Sequence, residues 1–461
     1  MQQLLTVVFL LTTELNLRNP KPVKFTSTMR VSLNQVIVIA IRYIWGKIFQ
    51  RSPSPEAIKQ VRKFIMFGAG MLIARILSVA AQIIMGRYLG PEVYGQLTMI
   101  ILLSSYFAMP IVNGWGLVFI KIVSKEKEDG KKREALTSLL LVVFVSSLLV
   151  TTFLAVLQDF FVKLFHVTPQ LMSLTLVMTI FYSWWILTKY IAQGRQNWSI
   201  YVFIENIWAL IVLFGVLGLF WGWHLADLVA VSCIFFLGYF LAGFCYLKKI
   251  IQSFFEKIRL EYIKDILSHG WFLLLNGLVG MATFSVDRVF INRSLGAEEV
   301  GIYQAHFLST YGIISAFMTI LLTYIFPVFC RNGNMQDMLG KINKIQYPVT
   351  VLTSITIGGL VLWLYSYPVS LVLFFSLCLF NAVQFHVQLK TWYLASRGAS
   401  ESKITLWSQF IFLSVNVFML VILVRYIGII AGGISLLVAA CTSLVYLFIK
   451  SEHRLSRERI V

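Results

Sequence analysis

Residues 86–95 read GRYLGPEVYG and residues 292–301 read NRSLGAEEVG, so one ten-residue motif occurs twice, 206 positions apart. Five aligned positions are identical in the two copies: Arg87/Arg293, Leu89/Leu295, Gly90/Gly296, Glu92/Glu298 and Gly95/Gly301. A second, weaker similarity, at an offset of 203 residues, pairs YIAQGR from Tyr190 with YLASRG from Tyr393. Recurrence at a nearly fixed spacing predicts a chain built from two similar halves.

The motif has the features of a tight turn between two helices. Gly90 and Gly296 can adopt the positive φ that ends a helix. Glu92 and Glu298 would then lie in the first turn of the following helix, where the helix dipole favours a carboxylate. We therefore interpret both copies as turns rather than as binding sites.

The composition excludes a soluble globular domain. The 461 residues are 58% hydrophobic and 13% charged, with a mean hydropathy of +0.80, whereas soluble domains carry about 25% charged residues. A bilayer core of roughly 30 Å needs about 20 apolar residues per helix, and such segments recur along most of the chain. The sequence predicts an all-α integral membrane protein with about twelve transmembrane helices.

Six predicted helices precede a basic link and six follow it. The first six are at 64–86, 95–119, 135–157, 170–188, 199–221 and 225–247, and the second six are at 270–292, 302–328, 347–366, 369–389, 404–424 and 428–449. Because six is an even number, both halves enter the membrane from the same side, and a pseudo-two-fold axis along the membrane normal should relate them as two lobes. Parallel repeats of this kind build transporters with a central cavity.

The distribution of basic residues predicts the orientation. With the residues before the first helix in the cytoplasm, the inner segments from Lys59 onward hold 26 Lys and Arg, and the outer loops hold four. This positive-inside bias places both termini in the cytoplasm. It also explains the net charge of +19 without nucleic acid, for which the basic loops carry no motif.

The predicted domain order follows from these helices. Residues 1–60 are an N-terminal cytoplasmic extension, in which 31–49 has the character of an interfacial helix. The remaining parts are a first lobe at 61–250, a cytoplasmic link at 251–269, a second lobe at 270–450 and a basic cytoplasmic tail at 451–461.

The five cysteines show no CxxC spacing: Cys233, Cys245, Cys330, Cys378 and Cys441. They are typical of small buried hydrophobic residues rather than of disulfides or metal ligands. The sequence accordingly predicts no metal and no cofactor.

Three segments carry a family resemblance: GRYLGPEVYG from Gly86, AQGRQNW from Ala192 and VDRVFINRSLGAEEVGIYQA from Val286. They resemble the polysaccharide flippases, the O-antigen and capsule repeat-unit translocases of the multidrug/oligosaccharidyl-lipid/polysaccharide exporter (MOP) superfamily. The resemblance covers roughly residues 60–450. The long N-terminal extension departs from the family pattern, and twelve helices rather than fourteen argue against the lipid II flippase branch.

This resemblance implies a MATE-like fold of two six-helix lobes around a V-shaped cavity in the cytoplasmic (inner) membrane. It implies a protein that carries a polyprenyl-pyrophosphate-linked oligosaccharide from the inner to the outer leaflet for cell-surface polysaccharide synthesis, with no bond chemistry. The implied partners are membrane lipid, this lipid-linked substrate and other membrane proteins of polysaccharide assembly.

Arg75 is one of four charged residues that the sequence places inside the membrane, where charges mark functional sites. It lies near the middle of the first helix, and Ser78 and Gln82 share its face. A guanidinium in this polar stripe could bind a phosphate of the substrate through paired hydrogen bonds. The alternative is a structural ion pair with Glu205 or Asp287.

Asp287 and Arg288 lie in the outer third of the predicted seventh helix, and Asn276, Gly280 and Thr283 would share the face of Asp287. The Asp287 carboxylate is a candidate for coupling transport to protons or sodium ions, or it neutralises an arginine. Arg288 either contacts the substrate or extends its side chain outward to the membrane surface.

Glu205 opens the predicted fifth helix on the cytoplasmic side. It is a second candidate for ion coupling, and the alternative is a structural counter-ion for Lys189 or Arg195.

The predicted tenth helix carries a stripe of polar residues at helical spacing: Asn381, Gln384, Gln388 and Thr391. Such a stripe suits sugar hydroxyls better than lipid, and hydrogen bonds between helices are the alternative.

Two other functions fit the sequence less well. A multidrug exporter of the same superfamily would favour net acidic cavity residues for cationic drugs, whereas here two arginines offset two acids. A membrane enzyme such as a polymerase or ligase needs a sizeable polar loop. The longest predicted outer loop, near 158–169, has neither a DxD motif nor a carboxylate pair, so the sequence predicts no enzyme.

The charge distribution predicts where the C-terminus lies. Alkaline phosphatase fused after Val461 should be inactive, because the fusion would remain in the cytoplasm. High phosphatase activity of this fusion would show that the number of predicted helices is wrong.

Overall fold

Every element that the structure describes is a helix. The computed structural model describes residues 55–244, 250, 256–318, 336–397 and 399–458. The chain divides into two compact units, Met1–Ala69 and Gly70–Val461. The predicted interfacial helix at 31–49 and part of the predicted link lie outside the described residues, and the predicted lobe boundaries stay predictions.

The first half contains seven described helices. They are α1 (Pro55–Ala108), α2 (Gly114–Lys125), α3 (Asp129–Val156), α4 (Gln158–Phe165), α5 (Pro169–Gly194), α6 (Trp198–Leu217) and α7 (Leu228–Gly243). A π-helical segment, Met109–Asn113, joins α1 to α2. Pro110 lies in its first turn, and proline cannot donate the backbone hydrogen bond that a continuous α-helix requires.

The second half is described in seven further helices. They are α8 (Leu260–Thr283), α9 (Val286–Leu295), α10 (Ala297–Phe307), α11 (Gln336–Tyr365), α12 (Leu371–Arg397), α13 (Ala399–Ile427) and α14 (Ile430–Glu458). A π-helical segment, Leu308–Gly312, continues α10, as Gly218–Gly222 continues α6.

Each predicted transmembrane helix overlaps a helical segment of the structure. Within the described ranges, nine helices are long and apolar enough to cross a membrane, so the chain is a multi-pass membrane protein. One of the nine, Ile65–Lys125, has 61 residues and contains the Gly90 turn, while α7 is apolar but shorter. The predicted helix at 302–328 extends beyond the described residues. The total of twelve therefore stays a prediction.

The two glycine turns predicted from the repeat are confirmed. Gly90 has φ 75° and ψ 168°, and Gly296 has φ 98° and ψ 176°. This backbone conformation strongly favours glycine. Glu298 lies in the first turn of α10 as predicted, where the helix dipole favours its charge.

The two copies of the motif also pack against each other through their last glycines. A Cβ atom added at Gly95 would lie 1.8 Å from the carbonyl oxygen of Ala297, and one added at Gly301 would lie 2.0 Å from that of Pro91. Pro91 and Ala297 are equivalent positions of the repeat, so the contact is reciprocal. Reciprocal contacts arise across a two-fold axis, which supports a local two-fold between the motifs. The symmetry of whole lobes stays a prediction.

Other turns repeat in pairs as well. His166 and Ser366, which precede the fourth predicted helix of each half, have φ 52° and 60°. His224 and Gly428, which precede the sixth, have φ 51° and 59°. A positive φ is uncommon outside glycine, so matched positions extend the repeat beyond the glycine motif.

The prediction of one continuous helix at 270–292 is wrong, because the chain breaks into α8 and α9. Ser285, between them, has φ −146° and donates its hydroxyl to the Met281 carbonyl at 2.6 Å. Its Oγ also lies 2.7 Å from the Tyr106 hydroxyl of the first half. The break places Asp287 in the first turn of α9, where the helix dipole favours a carboxylate.

The two halves also meet at the opposite end of the bundle. α2 and α8 pack closely, since a Cβ atom added at Gly114 would lie 2.3 Å from the Gly270 carbonyl oxygen. An ion pair joins Arg259 Nε to Glu134 Oε2 at 2.6 Å. Both ends of this part of the bundle are therefore held by contacts between the halves.

The glycine crossing generates a stability prediction. Gly95→Ala and Gly301→Ala should each lower the free energy of unfolding by about 1–3 kcal/mol, because the added methyl group meets backbone that cannot move aside. Thermal unfolding of the purified protein in lipid nanodiscs measures the loss. The matched control is Gly359→Ala, whose added Cβ lies 3.9 Å from Phe374 and should be tolerated. Equal stability of Gly95→Ala and this control would contradict the crossing.

Candidate functional site

Arg75 lies on α1 with its side chain exposed. It makes no hydrogen bond and no ion pair with any residue that the structure describes. Its charge interacts electrostatically with Glu205 of the first half and Tyr311 of the second half. Among the described residues, Arg75 is therefore a cation on a membrane-spanning helix that makes no direct pair.

Glu205, the first predicted counter-ion of Arg75, is bound elsewhere. Its Oε1 lies 2.5 Å from Nζ of Lys189, and the two side chains are only 13% and 15% exposed. Lys189 Nζ also lies 3.9 Å from the ring centre of Trp185. Lys189, one of the two counter-ions that the sequence suggested for Glu205, is thus paired with it.

Asp287, the second predicted counter-ion of Arg75, is fully buried at the start of α9. Its Oδ2 accepts a hydrogen bond from the Tyr303 hydroxyl. Its Oδ1 accepts one from the backbone N–H of Arg288 at 2.9 Å and lies 3.4 Å from the Arg288 guanidinium. Glu205 and Asp287 are thus both bonded to other side chains. The ion pair that was predicted between one of them and Arg75 is absent among the described residues.

Arg288 is buried with Asp287 rather than exposed to a cavity. Its Nε donates to Gln304 Oε1 at 2.6 Å, and a terminal nitrogen donates to the Phe284 carbonyl at 2.7 Å. The guanidinium carbon lies 4.0 Å from the ring centre of Phe307. These partners hold the Arg288 side chain inside the second half, and its contact with the substrate stays a prediction.

Gln82 is half-buried and bonded at the contact between the halves. Its Oε1 accepts the Tyr94 hydroxyl at 2.9 Å, and the same hydroxyl lies 3.1 Å from that of Tyr365 in the second half. The Tyr367 hydroxyl donates to the Gly86 carbonyl nearby. Gln82 therefore belongs to the junction at the predicted outer end.

The polar stripe of the predicted tenth helix borders a cavity of 260 Å³ inside the second half. Gln384, Gln388 and Thr391 line it from α12. Asn381 does not line it, because its amide donates to Ser354 Oγ at 3.1 Å. The structure thus brings three of the four stripe residues together at one cavity and uses the fourth between helices.

Three other helices complete the cavity wall. α8 contributes Gly280, Thr283 and the adjacent Phe284, α13 contributes Ser408, Gln409 and Phe412, and α14 contributes Ser443. Gly280 and Thr283 were predicted to share a face with Asp287. The break at Ser285 separates them from it, so this prediction is wrong.

Gln409 was missed by sequence reasoning, although a signal for it exists. Thr405, Gln409 and Asn416 occur at i, i+4 and i+11 of one helix, a spacing that places them on one face. This second polar face meets that of α12, since Gln409 and Gln384 line the same cavity.

Tyr311 connects the cavity wall to the region of Arg75. Its ring stacks on Phe284, with ring centres 5.3 Å apart, and Phe284 lines the cavity. The Tyr311 hydroxyl also interacts electrostatically with Arg75, so this tyrosine is near both the cavity wall and the cation.

The described residues contain no group of three or more His, Cys, Asp or Glu side chains placed to hold a metal ion. Cys233, Cys378 and Cys441 are free thiols. Cys245 and Cys330 lie outside the described residues.

Residues 60–332, more than half of the chain, match the family model described as polysaccharide biosynthesis protein. The chain belongs to this family. The family resemblance predicted from the sequence motifs is thereby confirmed. No curated protein matches the sequence.

The solved structures similar to this polysaccharide biosynthesis protein confirm a MATE-like fold. A MOP superfamily transporter from Pyrococcus furiosus, described as having a binding pocket of reverse polarity, has a TM-score of 0.62 at 14% identity, over 85% of this chain and 95% of its own. An inward-facing multidrug resistance MATE transporter of the MOP superfamily has a TM-score of 0.60 at 13% identity, over 84% of this chain and 96% of its own.

The lipid II flippase MurJ in an inward closed conformation is similar as well, with a TM-score of 0.58 at 13% identity over 84% of this chain and 87% of its own. At such low identity, the likeness to these structures establishes the fold and not the substrate. The polysaccharide biosynthesis family and the fold together agree with the transporter class that the sequence predicted.

The Lys189–Glu205 pair generates a prediction that separates a structural role of Glu205 from ion coupling. Lys189→Met and Glu205→Leu should each destabilise the protein by about 3–5 kcal/mol, because each leaves a buried charge unpaired. The double variant should recover most of that loss and retain polysaccharide export. Thermal unfolding and export are measured on all three variants. A stable double variant without export would contradict the structural role and favour ion coupling.

Proposed function

We propose that this protein is a flippase that moves a polyprenyl-pyrophosphate-linked oligosaccharide across the cytoplasmic membrane for cell-surface polysaccharide synthesis. The family assigns the chain to polysaccharide biosynthesis, and the fold is that of MOP transporters. The substrate class is chosen because it joins an anionic pyrophosphate to neutral sugars, and the site contains a matching part for each.

Arg75 is the observation that carries the proposal. A cation in a membrane-spanning helix is costly unless it is paired or faces a polar space. Arg75 makes no hydrogen bond or ion pair with a described residue, although its charge interacts at longer range with Glu205 and Tyr311. An arginine donates a planar set of hydrogen bonds that matches phosphate oxygens. We assign Arg75 the role of binding the pyrophosphate.

Alternating access is the proposed mechanism. Contacts at the predicted outer end, such as Tyr94 with Tyr365 and Tyr367 with Gly86, join the halves and would have to separate to release the substrate outward. The polyprenyl tail stays in lipid while the head group crosses. Coupling to protons or sodium ions, cytoplasmic termini and association with other polysaccharide-assembly membrane proteins are parts of the same proposal.

A multidrug exporter of the same superfamily is the second candidate, since similar structures include MATE multidrug transporters. A cationic drug would need an unpaired carboxylate in the cavity. Glu205 is paired with Lys189, and Asp287 is bonded to Tyr303 and Arg288. The charge that lacks an ion pair among the described residues is that of Arg75, which is positive and favours an anionic substrate.

A membrane enzyme of polysaccharide assembly is the remaining candidate. The outer segment near 158–169 forms the short helix α4. It offers Asp159 as a single carboxylate, whereas acid–base chemistry at a glycosidic bond commonly uses a pair. This favours transport without bond chemistry.

The proposal predicts a specific effect of removing the Arg75 charge. Arg75→Ala should reduce export of the polysaccharide repeat unit about 10- to 100-fold, the loss expected from one charge-assisted hydrogen-bonding group. Arg75→Lys should restore export partially, because lysine keeps the charge but loses the planar pair of donors. Export is measured in cells that lack the native protein, alongside the membrane abundance of each variant.

The matched control is Arg425→Ala, which removes an exposed arginine from the last turn of α13 and should leave export unchanged. Normal export by Arg75→Ala at normal abundance would refute the proposed role. Loss of abundance together with export would instead indicate a structural ion pair.

A further inference from the structure

The cavity in the second half contains hydrogen-bond acceptors without partners. Gln384 is only 4% exposed, and its Oε1 has no hydrogen-bond partner among the described residues. Gln409 Oε1 is buried and unpartnered in the same way. Buried carbonyl oxygens are normally paired, so two glutamines of one cavity wall have hydrogen-bonding capacity that the described residues do not satisfy.

The chemistry of the wall restricts the class of that ligand. No acidic or basic residue lines the cavity within the part of the chain that the structure describes, and an unpaired ion would be costly there. Three aromatic side chains, Phe284, Trp392 and Phe412, contribute to the wall beside the amides and hydroxyls. A neutral molecule with hydroxyl donors and apolar C–H faces fits this combination, and a sugar ring has both features.

The size of the cavity restricts the ligand further. At about 30 Å³ per water molecule, the 260 Å³ of the cavity corresponds to roughly nine waters. The cavity therefore has room for one sugar ring, and further sugars of an oligosaccharide would lie outside it.

The equivalent place in the first half is filled by side chains. With the 203-residue offset of the Tyr190/Tyr393 pair, Trp392, Ser408 and Gln388 correspond to Lys189, Glu205 and Trp185. Lys189 and Glu205 form an ion pair, and Lys189 lies over Trp185. Trp208 and Tyr239 stack beside them with ring centres 5.6 Å apart. The second half therefore has uncharged side chains in the positions of this ion pair, and a serine in place of the glutamate.

We propose that the cavity lined by Gln384, Gln388 and Gln409 binds one neutral sugar residue of the lipid-linked substrate, and that the first half has no such site. This proposal rests on the flippase function. It assigns recognition of the sugar to the second half, while Arg75 binds the pyrophosphate.

Two substitutions test the cavity directly. Gly280 lines it, and a Cβ atom added there meets nothing within 4 Å, so Gly280→Leu should fill the cavity without straining the helix. Gln384→Leu keeps the approximate volume but removes an unpaired acceptor. The matched control is Gly359→Leu on α11, outside the cavity.

The experiment compares two lipids on the full-length protein in nanodiscs. One is a polyprenyl pyrophosphate, and the other is the same lipid carrying one neutral hexose. Binding is measured by native mass spectrometry, with the melting temperature of each variant determined in parallel. The native protein and Gly359→Leu should bind the sugar-bearing lipid about tenfold more tightly, the value of one or two hydrogen bonds. Gly280→Leu and Gln384→Leu should bind both lipids equally.

The outcomes separate this proposal from the flippase function. If the native protein binds both lipids equally, or if Gly280→Leu at an unchanged melting temperature keeps the preference, the sugar site is refuted while pyrophosphate binding stands. Arg75→Ala should weaken the binding of both lipids to the same extent and keep the preference for the sugar-bearing lipid. If the native protein binds neither lipid, the flippase function and the sugar site fail together.

Discussion

The crossing of Gly95 and Gly301 is the contact on which the arrangement of the two halves depends. Backbone touches backbone there, because neither residue has a side chain to keep the helices apart, and each glycine faces the equivalent carbonyl of the other copy. In lipid, close packing and hydrogen bonds hold helices together without the help of water. The nearby tyrosine contacts between Tyr94 and Tyr365 then join the halves beside the crossing.

The cost of charge in a membrane explains how the remaining polar residues are distributed. Glu205 and Asp287 are each bonded to a basic side chain within their own half, which is what a low-dielectric surrounding demands of a buried carboxylate. Arg288 is likewise paired within its own half, with Asp287. Arg75 is left as an exposed cation without a described partner, so the pairing of the other charges, rather than any feature of Arg75 itself, makes it the candidate for an anionic ligand.

The sequence predicted those features that depend on local chemistry. Gly90 and Gly296 could be assigned to turns because positive φ strongly favours glycine, and long apolar segments could be assigned to helices because lipid permits little else. The break at Ser285 could not be found, since its cause is tertiary: the Ser285 hydroxyl meets Tyr106 from a distant helix. The partners of Gln82 and Arg288 were likewise missed, because hydrogen bonds between side chains on either side of a turn produce no periodic pattern in the sequence.

The repeat explains the architecture. The candidate site is formed at positions where the two halves carry different residues. Arg75 corresponds to Met281 at the 206-residue offset, so the duplicated fold does not require its charge. Ser408 and Trp392 correspond to the Glu205 and Lys189 of the other half, where an ion pair occupies the space. A symmetric protein would offer two equal sites to an asymmetric substrate. Arg75 belongs to the first half and the neutral cavity to the second, so the proposed substrate, with one charged and one neutral end, would bind in a single orientation.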